Sequence, residues 1–175
     1  MIDYRKLTLA DEAAYRSFEA AMLEDKKKNP FVEWWQVEDF VRFVSMSDQS
    51  ETKQEGQAWS PYTRYFAFVG EEIVGFVICF WELDHPDCLK LGHVGYMVAP
   101  AYRRQGIASQ LLAVALERYQ QRQVSSILIV THEDNWPCRH LVEKQGGDLL
   151  GLEELHHLGD TFCAARYRLK TERNL

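Results

Sequence analysis

At 175 residues, with 46% hydrophobic and 13% aromatic content, the chain has the length and apolar material for one domain. Its formal charge of −6 at pH 7 excludes general adhesion to nucleic acid or anionic lipid. No apolar run reaches the ~18–20 residues that span a bilayer, and Met1-Ile2-Asp3-Tyr4-Arg5 does not open a secretory signal, so a cytoplasmic protein is expected.

Tyr4 to Leu9 reads as a short first strand. Asp11 is placed to cap a helix running to about Glu24, with Ala14, Phe18 and Met22 on one face. The run Lys26-Lys27-Lys28-Asn29-Pro30 ends it as a solvated turn. A second helix is expected near Val37 to Met46. Ser47 to Ser60 is polar and long for a loop in one domain, which points to a lid or substrate loop. From Arg64 the period changes to two. Tyr65 to Val69 and Ile73 to Trp81, joined at Gly70-Glu71-Glu72, predict a β-hairpin. Leu83 to Lys90, with Pro86, reads as a loop and Leu91 to Val98 as a strand. Ser109 to Arg122 has the apolar spacing of a helix. Ser126 to Val130 is a continuous apolar run, as in a central strand covered on both faces. Asn135 is a helix cap, Gly146-Gly147 a stop, and 149–157 with 162–169 a closing antiparallel pair. The order predicts an α/β fold: a mixed, mostly antiparallel central sheet with helices on both faces.

Four cysteines, Cys79, Cys88, Cys138 and Cys163, form no Cys-x-x-Cys pair. Cys79 and Cys163 fall in strand-like runs, so buried free thiols in a reducing compartment are expected. No metal site is expected. The pair His156-His157 cannot face one ion from a strand, because neighbouring residues point opposite ways. His132-Glu133-Asp134 reads as the polar lead into a helix. Trp34, Trp35 and Trp59 are candidates for an acceptor pocket or for packing.

Arg103-Arg104-Gln105-Gly106-Ile107-Ala108 carries the most chemistry. It joins a strand to a helix, where the first N–H groups have no partner in the helix and the dipole is positive. Gly106 lets backbone approach a bulky anion, Ala108 is nearly as small, and the two arginines offer charge-assisted hydrogen bonds. The pattern predicts a diphosphate site. Neither Gly-x-x-x-x-Gly-Lys-Ser/Thr nor Gly-x-Gly-x-x-Gly is present.

Residues 94–146 resemble the core of the GCN5-related N-acetyltransferase (GNAT) superfamily. Its pattern Gln/Arg-x-x-Gly-x-Gly/Ala is matched by Arg103, Gly106 and Ala108, and its second signature by Asn135, Lys144 and Gly146. The likeness covers 64–169 well and the first third in outline. It implies one acetyltransferase domain, with 1–60 as a helical acceptor-side region and 64–169 as an acetyl-CoA-binding core. It also implies that backbone N–H groups of Arg104, Gln105, Gly106, Ile107, Ala108 and Ser109, with the side chains of Arg103 or Arg104, hold the CoA diphosphate. Met97 and Val98 would pair with the pantetheine arm and supply an oxyanion contact. The strands near Gly95 and Ile129 would splay to admit the arm, and Asn135 would reach it from the far side.

The reaction implied is direct attack of an amine of a small molecule or peptide on the thioester of acetyl-CoA. The amine must be neutral, so His93 and Glu82 are the candidate bases; His93 shares a strand face with Gly95 and Met97. The tyrosine that protonates the leaving thiolate in many members is Val142 here, which leaves Tyr96 or Tyr102 as candidate acids, or an unassisted departure. A CoA-thioester-binding sensor without turnover is the alternative that Val142 keeps open. Acyl length, acceptor and oligomeric state are not specified, and the aromatic first third and last strands leave room for a homodimer interface.

Overall fold

Residues 1–172 are described in a computed structural model. The change of period at Arg64 marks a hairpin of β2 (Tyr62–Val69) and β3 (Glu72–Phe80), turned at Gly70 with φ +60°. β1 (Asp3–Arg5) pairs with β2 and β4 (Val94–Val98) with β3, so the first sheet has the order β1-β2-β3-β4. A second sheet has the order β5-β7-β6, formed by β5 (Ser126–His132), β6 (Asp148–His157) and β7 (Asp160–Lys170). All ladders are antiparallel. The expected single sheet is thus two.

Alternation along β3, shifted once by a bulge at Val74, sends Val74, Val77 and Cys79 to one face and Ile73, Phe76 and Ile78 to the other. The first face meets Leu111, Leu112, Ala115 and Tyr119 of α4 (Ile107–Gln121). This cluster also takes Ile127 and Ile129 of β5 and Tyr167 of β7, so it joins the two sheets. The second face meets Tyr15, Phe18 and Met22 of α1 (Glu12–Lys26) and Phe40 and Val44 of α2 (Phe40–Gln49).

Several boundaries differ from expectation for local reasons. Asp11 does not cap α1; its carboxylate takes both guanidinium nitrogens of Arg5, at 2.7 and 2.8 Å, and the Thr8 N–H, which ends β1 early. Asp39 caps α2 by accepting from the Arg42 N–H, so that helix starts at Phe40 and absorbs part of the expected polar loop. A short helix, α3 (Pro86–Leu91), replaces the expected loop at 83–90. Proline fits the first helical turn, and His85 Nδ1 accepts the Asp87 N–H. Among the cysteines, Cys79 and Cys88 are buried, while Cys138 is half-buried and Cys163 exposed, against the burial expected of the last.

β5 is not the doubly covered central strand its composition suggested. Its residues alternate half-buried and buried, and its one ladder is with β7. On the other side it touches β4 only at its start, through the Gly92–Ile129 bridge and the His93 N–H donating to Leu128 O. Beyond these contacts β4 and β5 share no ladder. No helix among the described residues is long and apolar enough to cross a membrane.

Candidate active site

The gap between β4 and β5 opens into a cleft of about 850 Å³. One wall is β4 and the turn 102–109. The other is 129–132 with Asn135, Cys138 and Leu141 of α5 (Trp136–Lys144). The segment between α1 and α2 lies over it through Asn29, Phe31, Val32 and Glu33.

The phase of the β3–β4 ladder decides which backbone groups face the gap. Ala99 N–H donates to Val74 O and Val98 pairs in register with Gly75. In an antiparallel ladder the hydrogen-bonding residues alternate, so Gly95 and Met97 are committed to β3. Tyr96 and Val98 turn their N–H groups toward the cleft. Of the two residues expected to meet a pantetheine arm, Val98 therefore carries the free donor and Met97 offers its side chain to the α1 face.

At the far end of this edge the turn winds through two left-handed residues, Arg104 at φ +60° and Gly106 at φ +80°. Gly106 precedes α4 with no side-chain cap, and a Cβ built on it meets nothing within 4 Å. The first N–H groups of α4 are thus presented to a roomy, positively polarised turn. Ile107, Ala108 and Ser109 form the first helical turn there; Ile107 is buried, and Gln105 points its amide to Ala101 O. The two arginines diverge. Arg103 is held away from the turn: its guanidinium grips Asp25 of α1 at 2.6 and 3.2 Å and its Nε donates to Val98 O. Arg104 is exposed and has no side-chain partner among the described residues.

Asn135 accepts the Cys138 N–H on Oδ1 and so caps α5, which leaves its amide nitrogen at the cleft wall. Gly146, at φ +88°, ends the helix. Val142 is fully buried under Gly147, where a Cβ would lie 2.5 Å from Val142 Cγ1 and 2.9 Å from its carbonyl oxygen. Val142 has no proton to give and does not line the cleft.

The four expected proton carriers are not brought together. His93 is buried beside the closed end of the strands. Its Nδ1 accepts the Leu128 N–H at 2.7 Å, so its Nε2 carries the hydrogen and donates to Leu83 O at 2.9 Å. Burial above all lowers its pKa, and both nitrogens are used, so the ring is a clamp between β4, β5 and the 83–91 segment. Glu82 pairs with Lys53 at 2.9 Å, outside the cleft. Tyr96 lines the cleft, with Oη 3.1 Å from Cys138 Sγ, and burial raises its pKa well above the ordinary phenol value. It therefore stays protonated at neutral pH. Tyr102 donates to Glu72 at the rim.

The acceptor-side features also move. Trp34 is buried in the α1 core, while Trp35 and Trp59 are exposed; none lines the cleft, and neither does 47–60. His132, Phe31, Phe162, Glu33 and His157 line it instead. Strand alternation could have found His132, which falls on the half-buried side of β5 with Leu128 and Val130. Phe31 and Glu33 lie in an irregular segment with no periodic signal. No cluster of three metal-ligating side chains occurs among the described residues.

Residues 28–147 match the family model of the acetyltransferase (GNAT) family. Similar solved structures include a Salmonella typhimurium acetyl transferase that modifies the N-terminal serine of ribosomal subunit protein L7/L12. It is 19% identical, with 97% of this chain and 94% of that one covered and a TM-score of 0.70. The acetyltransferase yncA from Salmonella typhimurium, with its cofactor acetyl-CoA, is 12% identical over 99% and 95%, at 0.69. A GNAT-family acetyltransferase from Streptococcus pneumoniae is 17% identical over 97% and 99%, at 0.67. These likenesses show the fold. No curated protein matches the chain in sequence.

Proposed function

The chain belongs to the acetyltransferase (GNAT) family, and from that premise we propose that it acetylates a primary amine of a small molecule or peptide at the β4–β5 cleft. The observation that carries the reading is the unpaired edge of β4 running into the uncapped start of α4. That geometry suits a long ligand with a diphosphate at one end. Acetyl-CoA supplies there an acetyl group activated as a thioester.

In this reading the N–H groups of 104–109 and the Arg104 side chain hold the diphosphate. The Tyr96 and Val98 edge aligns the arm, and the Val98 N–H stabilises negative charge on a carbonyl oxygen. Asn135 braces the far wall. Arg103 shapes the turn through Asp25 instead of touching phosphate. Alignment accounts for most of the acceleration, since well-oriented groups reach effective molarities of about 10⁵–10⁸ M. The Tyr96–Cys138 pair holds the proton for a leaving thiolate, which replaces the absent tyrosine at Val142. A thiol-release assay with acetyl-CoA and a panel of primary amines tests the function. Amine-dependent thiol release supports it, and release no faster with any amine than with water overturns it.

A further inference from the structure

His132 ends β5 on the cleft wall opposite β4, and its surroundings are those of a working imidazole. Its ring stacks on Phe162, with centroids 3.9 Å apart and planes at 11°, and Phe31 meets it edge-on at 5.4 Å. Both ring nitrogens lack a hydrogen-bond partner among the described residues, whereas those of His93 are both consumed. Phe31 is set in place from α1. Its N–H donates to Asn29 Oδ1, and the Asn29 amide donates to the Asp25 carboxylate that holds Arg103. Glu33, from the same segment, faces His157 of β6 at 3.7 Å, and both line the cleft.

We infer that Phe31, His132 and Phe162 form the acceptor subsite, that it takes an aliphatic primary ammonium, and that His132 is the base that deprotonates it. This rests on the proposed acetyl transfer. The aromatic faces attract a cation, Glu33 adds negative charge, and the net charge of −6 favours the approach of cationic acceptors. The ammonium N–H bond breaks and its proton passes to a free nitrogen of His132. The nitrogen lone pair so released forms the bond to the thioester carbonyl carbon. The carbon–sulfur bond breaks and sulfur leaves with the electron pair and takes the proton held by Tyr96 and Cys138; the second proton that the nitrogen loses on becoming an amide passes through water to restore that pair, and the imidazolium returns its proton to water. The ring stack restrains His132 without occupying its nitrogens, which a base needs and a clamp does not.

The test uses CoA-saturated protein with ¹³C-labelled histidine rings and n-butylamine as the probe. Loss of one of the six histidine signals in His132→Asn assigns the resonance. That resonance shifts saturably with n-butylamine, and Phe162→Leu weakens the probe roughly fivefold. His132→Asn lowers kcat for n-butylamine acetylation roughly 10²-fold while CoA affinity, read by calorimetry on the same samples, is unchanged. An unmoved His132 signal, or full turnover in His132→Asn, overturns the assignment. Absence of CoA binding in the unaltered protein strikes instead at the donor-site reading.

Discussion

Arg103 and Asp25 form a two-pronged ion pair, at 2.6 and 3.2 Å, that fastens the end of α1 to the end of β4. The first arginine of the diphosphate turn is thereby spent on architecture. It is tied through Asp25 and Asn29 to the segment that carries Phe31 and Glu33 over the cleft, and in the proposed reading the anion falls to Arg104 and the backbone. Removing either partner, in Arg103→Ala or Asp25→Ala, is expected to cost about 1–2 kcal/mol of stability, and the double variant little more than either alone. Arg104→Ala is expected to leave stability unchanged and weaken acetyl-CoA roughly tenfold. Urea denaturation and calorimetry on the set check the division; equal loss of affinity in Arg103→Ala and Arg104→Ala without loss of stability would reverse it.

Stability is expected to fall as the solution is acidified below about pH 6.5, the ordinary histidine value. The sign follows from His93, whose folded pKa is lowered mainly by burial. Below its unfolded pKa the unfolded chain binds a proton that the folded chain refuses, because protonating Nδ1 breaks the bond from Leu128 N–H. Thermal melts between pH 5 and 8 in the unaltered protein and His93→Gln read this (both pH limits approximate). A slope that persists undiminished in the variant assigns it to another group.

Gly75 lies under β4, where a Cβ would come within 2.7 Å of Met97 O and 3.1 Å of Leu111 Cδ1. Gly75→Ala is expected to cost about 1–3 kcal/mol and, by displacing the β4 wall, to weaken acetyl-CoA as well. A melt and a binding isotherm decide; an unchanged melting temperature would mean that β4 yields freely.

Tyr96→Phe removes the proton held at Oη and leaves the ring packing intact. Turnover is expected to drop roughly 10²-fold, with affinity for acetyl-CoA kept. The loss should be smaller with a donor whose leaving thiol is more acidic. An equal loss with both donors would remove Tyr96 from the proton path.

The proposed donor side is written locally, and that is why the sequence can suggest it. Gly106 and Asn135 act within their own turns, as a left-handed residue before α4 and as the cap of α5. Alternation placed β2, β3 and β4. The proposed acceptor side is assembled across long sequence separations. Phe31, His132 and Phe162 meet only because the segment after α1, β5 and β7 converge, and Phe31 belongs to no periodic element. His93 shared a face with Gly95 and Met97 as expected, but the clamp to Leu83 and Leu128 comes from tertiary packing that alternation cannot show. The splitting of one expected sheet into two has the same origin. Ser126 to Val130 is apolar because the α4 core buries one face and the cleft half-buries the other.

Titration calorimetry of acetyl-CoA into the unaltered protein and Gly106→Glu decides whether the cleft holds the donor. One site per chain is expected in the first, with thermal stabilisation of about 2.7 kcal/mol at a hundredfold excess over Kd. Binding should be lost in the second, where a carboxylate and a strained backbone at φ +80° meet the diphosphate. No heat and no stabilisation in the unaltered protein, or the same affinity in both, would contradict the placement of the donor between β4 and β5.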